Sequence, residues 1–312
     1  MRPFTHFDAS STSDAASTAS AGGALFIAGG TDVLGTLKDE ILPTYPRRLV
    51  NLKSIEGLDY IKEEGDVVKI GPLVTLEALA EDETVRSRFA CLAAAAERVS
   101  GPTQRKMGTI GGNICQMHRC WYFRTPENRF PCLRKGGDTC FAFTGDSRYH
   151  SIFGAEQGCI AASPHDTAPA LIALDATIQT TSASYSAADF FAVNGARSNV
   201  LQDGEVVTEI QIPNRETRSA FQKFAERKAI DFPLVNCAAA SSSEGVRLVL
   251  GGVFPMPLRM PDAEAALAGG ISEGSAGAAA DAVVALAKPL SKNAYKVEIA
   301  RALVGRTLLE IA

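Results

Sequence analysis

The feature that most limits how this chain can fold is the segment 115–158, where the ordinary signals of secondary structure disappear. It has few periodic apolar positions and many turn formers: Pro126, Asn128, Pro131, Gly136, Gly137, Asp138 and Gly145. A loop of that length inside a compact domain needs an internal support. The same region, extended to residue 159, holds five of the seven cysteines, Cys115, Cys120, Cys132, Cys140 and Cys159, spaced C-x4-C-x11-C-x7-C-x18-C. Cys91, in an Ala/Leu-rich helical stretch, and Cys237, in an apolar run, read as small buried hydrophobes. An odd cysteine total without a secretory leader argues against a disulfide framework. The spacing is not the paired CxxC of a zinc ribbon. Thiolates gathered in one loop-rich segment suit either structural zinc or an iron–sulfur cluster. His118 is a candidate zinc ligand, and a set of unligated thiols is the third reading.

The rest of the chain has material for a sizeable core. Hydrophobic residues are 46% and charged residues 21% of 312, which excludes disorder as the main state. A net charge of −4 gives no support for nucleic-acid binding. No unbroken apolar run is long enough for a membrane span. The opening Met1–Asp8 lacks the apolar run of a signal peptide, so the expected compartment is the cytoplasm.

Periodicity gives a coarse map. Residues 9–24 form a weak helix and 25–28 a short buried strand. An amphipathic helix runs to about Glu40, and strands are expected at 48–51 and 67–71. Residues 73–99 hold two helices. Residues 101–113 return to glycine-rich loop. Residues 164–178 read as a short helix running into a strand. Strands follow at 206–212, about 221–228, 234–240 and 246–253, and the chain is helical from Pro257 to its end. Ile299, Leu303, Val304 and Leu308 make one stripe on the last helix. A run of strands and then helices is an α+β pattern.

Two glycine turns carry the chemistry outside the cysteine segment. They are Ala28-Gly29-Gly30-Thr31-Asp32, with Thr31 or Asp32 as candidate N-cap of the helix behind it, and Thr109-Ile110-Gly111-Gly112-Asn113. Glycine lets backbone N–H groups converge on an anion, so two such turns can hold a pyrophosphate between them. Neither turn is a GxGxxG fingerprint or a Walker loop.

With these motifs the chain resembles the FAD-binding subunit of the molybdenum hydroxylases, the xanthine dehydrogenase/aldehyde oxidoreductase/CO dehydrogenase family. The resemblance rests on Ala28–Leu34, Thr109–Ile114, Ser163–Leu171, Lys223–Arg227 and Asp231–Val235, in that order. It implies an α+β fold: a two-subdomain FAD-binding domain of the vanillyl-alcohol-oxidase-like type, then an α+β domain like the C-terminal domain of CO dehydrogenase flavoproteins. The implied boundaries are 1–215, with subdomains of about 1–56 and 57–215, then 216–312. It further implies that Ala28, Gly29, Gly30, Thr31 and Asp32, with Thr109, Gly111, Gly112 and Asn113, hold the FAD pyrophosphate through backbone N–H groups. Asp166 matches the acid that hydrogen-bonds the sugar-like portion of the cofactor, with a helix N-cap as the plainer reading. Lys223 matches a lysine near the flavin pyrimidine, with a solvated strand lysine as its alternative.

The chain departs from most of the family in the insertion 115–159. Some members carry a [4Fe–4S] cluster there, and the order of cysteines looks closest to the bacterial aldehyde oxidoreductase type. That resemblance implies Cys120, Cys132, Cys140 and Cys159 as ligands, with Cys115 as the fourth if Cys159 is not. The implied function is an electron-transfer subunit with no acid–base catalyst of its own. It would work with a large molybdenum-cofactor chain and a small [2Fe–2S] chain, as a heterotrimer or its dimer, passing electrons to an external acceptor during oxidation of an aldehyde or N-heterocycle. A signal-bearing partner could carry it to the periplasm. The alternatives are a free-standing flavin oxidase and a flavin-free zinc-binding interaction module.

Overall fold

The computed structural model describes residues 1–312 and builds them on three separate sheets. In the first, β1 (Thr5–Asp8), β2 (Ala24–Ile27) and β3 (Arg48–Asn51) are parallel, in the order β1-β3-β2. Parallel neighbours need crossover connections. Helix Thr12–Ser20 provides one and helix Val33–Lys38 the other. The first of these has a Ser/Thr-rich sequence of weak propensity. It is held by Ser11, whose hydroxyl accepts from Asp14 N at 3.0 Å, and by burial of Ala15 and Ala19. Strand β1 was not expected; with only one partly buried residue, Phe7, it has no alternation to read.

The second sheet is antiparallel throughout, in the order β4-β5-β8-β6-β7, with β4 Ile61–Glu64, β5 Val67–Ile70, β6 Thr177–Thr180, β7 Ser184–Ser186 and β8 Val207–Pro213. Its inner face presents Val68, Ile70, Ile178, Ile210 and Ile212 to Leu79, Phe89 and Leu92 in one buried core. Residues 73–99 form three helices there, Leu76–Glu81, Glu83–Arg88 and Ala90–Glu97, where periodicity suggested two. Asp82 makes the extra break. It ends the first helix in extended backbone (φ −63°, ψ 131°) and caps the second, accepting from Val85 N at 2.9 Å.

The third sheet is antiparallel, β12-β11-β10-β9, with β9 Arg218–Phe224, β10 Val235–Ser242, β11 Gly245–Gly251 and β12 Leu258–Arg259. Strand alternation splits β10 between two cores. Ala238 and Ala240 join the core of the second sheet, while Cys237 and Ala239 face the C-terminal helices. Burial on both faces explains why it is apolar on both, with Asn236 the one polar residue before Ser241. Helices Glu273–Ala285 and Tyr295–Glu310 cover the outer face through Ala279, Val283, Leu303, Val304 and Leu308. The first of these helices is rich in Ala and Gly, and its start is held by a capping box of Ser272 and Ser275. Strand β9 ends at Phe224, so the strand expected to reach 228 gives way to a loop, 225–234. No helix is long and apolar enough to cross a membrane.

The cysteine segment is not structureless. It contains helical turns at Trp121–Arg124, Pro126–Asn128, Leu133–Lys135 and Phe141–Thr144, and a small core of Ile41, Phe123 and Cys132. Tyr122, Phe130 and Phe141 meet edge to face, with centroids 5.2 and 5.1 Å apart. Its far end is pinned to the third sheet, where Ile152 N and Ser151 Oγ both donate to Val253 O at 2.9 Å.

Candidate cofactor sites

Between the first and second sheets lies a cleft of about 320 Å3. All nine glycine-turn residues named from the sequence line it: Ala28, Gly29, Gly30, Thr31, Asp32, Thr109, Gly111, Gly112 and Asn113. The first turn packs against Met107 and Gly108, just ahead of the second, and the second packs against Pro72. A Cβ on Gly29 would lie 1.9 Å from Met107 O, and one on Gly111 would lie 2.8 Å from Pro72 O. Only glycine permits these approaches. Gly30 adds a positive φ of 73°.

The turns differ in what they offer. In the second, Ile110–Cys115 is a short helix rather than loop. Ile110 N donates to Val74 O, Gly111 N to Pro72 O, Asn113 N to Thr109 O and Gly112 N to Thr109 Oγ1. Only Thr109 N has no partner in the chain, so the expected row of free donors is absent from this turn. In the first turn, the N–H groups of Gly29, Gly30, Thr31 and Asp32 have no partner at all. Four consecutive unpaired donors facing a cleft are a ready anion cradle, since backbone donors otherwise find partners.

Asp32 occupies the N-cap position of helix Val33–Lys38 but makes no capping bond. Its carboxylate pairs instead with Arg119 at 3.0 Å and Arg124 at 2.8 Å and accepts from Met117 N at 3.1 Å. It therefore clasps the start of the cysteine segment to the anion cradle. Burial alone would raise its pKa, but the two guanidinium groups outweigh that and hold it below 3.8. Such a group contributes stability that is complete above its unfolded value and is lost as pH falls through the depressed one. Acidification below about pH 4 is expected to release the segment first. Trp121 is the sole tryptophan, so its fluorescence reports this directly. In Asp32→Asn the same change is expected already at neutral pH; identical acid profiles for the two proteins would contradict the clasp.

Asp166 and Lys223 do not line the cleft. They meet each other behind it: Lys223 Nζ donates to Asp166 Oδ2 at 2.6 Å and to Arg98 O at 2.9 Å. Asn236 Nδ2 donates to Asp166 Oδ1 at 2.8 Å. Lys223 and Asn236 are opposite each other on β9 and β10. Burial pushes the Asp166 carboxyl up, against the pull of Lys223. The plainer readings both fail. Asp166 sits at the N-cap of helix Thr167–Ala173 without capping it, and Lys223 is buried rather than solvated. Through Thr167, whose hydroxyl donates to Asn113 Oδ1 at 2.7 Å, the pair is tied to the second glycine turn.

Cys120, Cys132, Cys140 and Cys159 converge on one region. Cys120, Cys132 and Cys159 lie within electrostatic reach of the Arg134 guanidinium, and Cys140 within reach of Cys159. Cys115 lies elsewhere, against the core of the second sheet and on the cleft wall. No three His, Cys, Asp or Glu side chains come close enough to hold a single metal ion. His118, the candidate zinc ligand, packs at a tilt against Phe123 with ring centroids 4.2 Å apart, and neither ring nitrogen is paired. Arg134 and Lys135, at 3% and 7% exposure, have no carboxylate partner. The oxygens that hold them are all neutral, Gly195 O, Arg197 O and Ser198 Oγ for Arg134 and Ile41 O and Phe123 O for Lys135, and Arg134 also reaches the Cys159 thiol.

The sequence reading missed Asn236, Arg119 and Arg124. A lone asparagine in a strand apolar on both faces was a signal, because a buried amide must be paired. The arginines on either side of Cys120 were another. Phe232, over which Arg119 stacks at 4.5 Å, also lines the cleft; the sequence marked it only as part of the Asp231–Val235 motif, without a role.

The chain is similar to known proteins along its whole length. Residues 2–215 match the FAD binding domain in molybdopterin dehydrogenase, and residues 219–311 match the CO dehydrogenase flavoprotein C-terminal domain. The chain is 32% identical to the aldehyde oxidoreductase FAD-binding subunit PaoB of Escherichia coli, over 99% of this chain and 98% of the relative. It is 28% identical to the carbon monoxide dehydrogenase medium chain of Hydrogenophaga pseudoflava, over 91% of this chain and 88% of the relative. The solved carbon monoxide dehydrogenase of that organism shares the fold, with a TM-score of 0.77 at 24% identity, covering 99% of this chain and 97% of that one.

Proposed function

Because this chain belongs to the FAD-binding subunits of the molybdenum hydroxylases, we propose that it is the flavoprotein component of a multi-subunit oxidoreductase carrying both FAD and a [4Fe–4S] cluster. Membership of an FAD-binding family removes the flavin-free zinc module from consideration. The observation that carries the flavin part is the row of unpaired N–H groups from Gly29 to Asp32 on the cleft wall. These donors would take the pyrophosphate, with Thr109 N opposite them. Asp166 and Lys223 place a buried polar pair behind Val99 and Ser100 of the cleft, where they would order its inner end. Bound FAD supplies exchange of electrons in ones or twos; the chain holds it and sets its surroundings.

The cluster part rests on charge. Buried cations are costly without a counter-charge. Arg134 and Lys135 have none among the carboxylates, yet both lie within electrostatic reach of the thiols of Cys120 and Cys132. Four thiolates around an iron–sulfur core carry net negative charge, which these cations would balance. Cys120, Cys132, Cys140 and Cys159 are the ligands in this reading, and Cys115 is not. The partners are a large molybdenum-cofactor chain and a small [2Fe–2S] chain, as the medium-chain and medium-subunit relatives suggest. An aldehyde is the favoured substrate class of the complex, on the relative that matches the full length of the chain.

The test is a visible spectrum of the purified chain before and after dithionite, with iron and acid-labile sulfide counted. Flavin bands with about four irons and four sulfides per chain are expected. Cys115→Ser should keep the iron, and Ser at any of the other four should lose it. Flavin without iron would remove the cluster and leave the flavoprotein; iron lost from Cys115→Ser would overturn the ligand set.

A further inference from the structure

His150 has no place in the cleft and is not among the ligands assigned above, yet it is buried to 2% exposure against one of them. Its Nε2 lies 3.2 Å from Cys120 Sγ. Its Nδ1 has no partner. The ring stands beside Trp121 and Tyr122, with centroids at 6.0 and 6.4 Å.

The backbone of His150 is fixed from the last helix and the turn before it. Its carbonyl accepts from Lys296 Nζ at 3.0 Å and from Asn293 Nδ2 at 3.3 Å. Its N–H donates to Ser147 O at 3.0 Å. Lys296 is fully buried and has no carboxylate partner; its second bond is to Gly252 O. A buried ammonium without a counter-charge is an expensive way to tie two loops together. Its position ties the third sheet, the last helix and the carbonyl of His150 at a single point.

An iron-bound thiolate has lost its proton and can only accept. Across the 3.2 Å contact the histidine is then the donor. A neutral imidazole carries one ring proton, and Nδ1 has no acceptor to favour it there, so the proton belongs on Nε2. Hydrogen bonds to cluster sulfurs stabilise the more negative, reduced state and raise the reduction potential.

We propose that His150 is a positioning residue of the electron-transfer centre: it donates Nε2–H to Cys120 Sγ and raises the reduction potential of the cluster, with Lys296 and Asn293 holding it in register. This inference rests on the reading of Cys120, Cys132, Cys140 and Cys159 as cluster ligands. It assigns the start of the last helix and the turn before it an electronic task in addition to packing.

The experiment is an EPR-monitored redox titration of the chain purified with its own cofactors, beside His150→Phe and Lys296→Met, with iron, sulfide and FAD counted in each. The expected result is unchanged iron and FAD in both variants. The cluster midpoint should be lowered in His150→Phe and lowered less in Lys296→Met. Full iron with an unchanged midpoint in His150→Phe overturns the proposal and leaves the cluster reading standing. If His150→Phe fails to retain iron, Lys296→Met decides: a midpoint equal to wild type overturns the proposal. A wild-type chain without iron removes the cluster reading and the inference together.

Discussion

A chain carrying Gly29→Ala is expected to come off the purification column without FAD. The new Cβ would stand 1.9 Å from Met107 O, 2.6 Å from Met107 C and 3.0 Å from Gly108 Cα. All three are backbone atoms, so no side chain can swing away to relieve the clash. The two glycine segments must separate, and the four free donors of the first no longer face the second. Overpacking of this kind costs about 1–3 kcal/mol in stability, but the larger effect is on the cofactor, because the cradle is a matter of backbone position. Gly35→Ala is the control. Gly35 lies in helix Val33–Lys38, and a Cβ added there would meet nothing within 4 Å. Alanine at that position should stabilise the helix by about 0.5–1 kcal/mol while FAD stays bound. Flavin absorbance at one equivalent in Gly29→Ala, with an unshifted Tm, would show that the turns do not hold the cofactor as argued.

The second large effect is expected at Lys223. In Lys223→Met the Asp166 carboxylate keeps only Asn236 and remains buried. Breaking a buried pair from one side costs about 3–5 kcal/mol, because the remaining charge is left without compensation. Adding Asp166→Asn removes that charge and should recover much of the loss. The double variant should then be more stable than Lys223→Met alone, a coupling that independent sites do not show. Urea midpoints at unchanged slope measure it. Additive losses would mean that the pair contributes through packing only.

The two glycine turns were legible as sequence because glycine has a physical signature: a position without a Cβ, next to a strand end and flanked by Thr and Asp or Asn. The core of the third sheet was legible for a similar reason, since alternation and apolar runs record burial one residue at a time. The breaks were harder. Asp82 ends one helix and caps the next within an otherwise continuous helical pattern, and β1 shows no alternation because its sheet leaves most of it exposed. The free-donor count at the two turns was not legible at all. Gly29–Asp32 and Gly111–Asn113 look alike as strings, but in the second Pro72, from a distant segment, takes the Gly111 donor and Thr109 takes those of Gly112 and Asn113.

The cysteine segment shows the same division. Its composition by itself determined that the region could not be an ordinary helix or strand and that something other than periodic packing had to support it. The chain's local strings also determined the family, through the ordered glycine, Ser-Pro and lysine motifs. Only the tertiary structure decided which cysteine stands apart, that Arg119 and Arg124 close on Asp32, that Asp166 and Lys223 face each other, and that the last helix reaches His150. Each of these joins residues from distant elements, and long-range pairing of charges and hydrogen bonds depends on distance in space. A side chain's type states what it can bond; which partner comes within 3 Å is settled by how the three sheets pack.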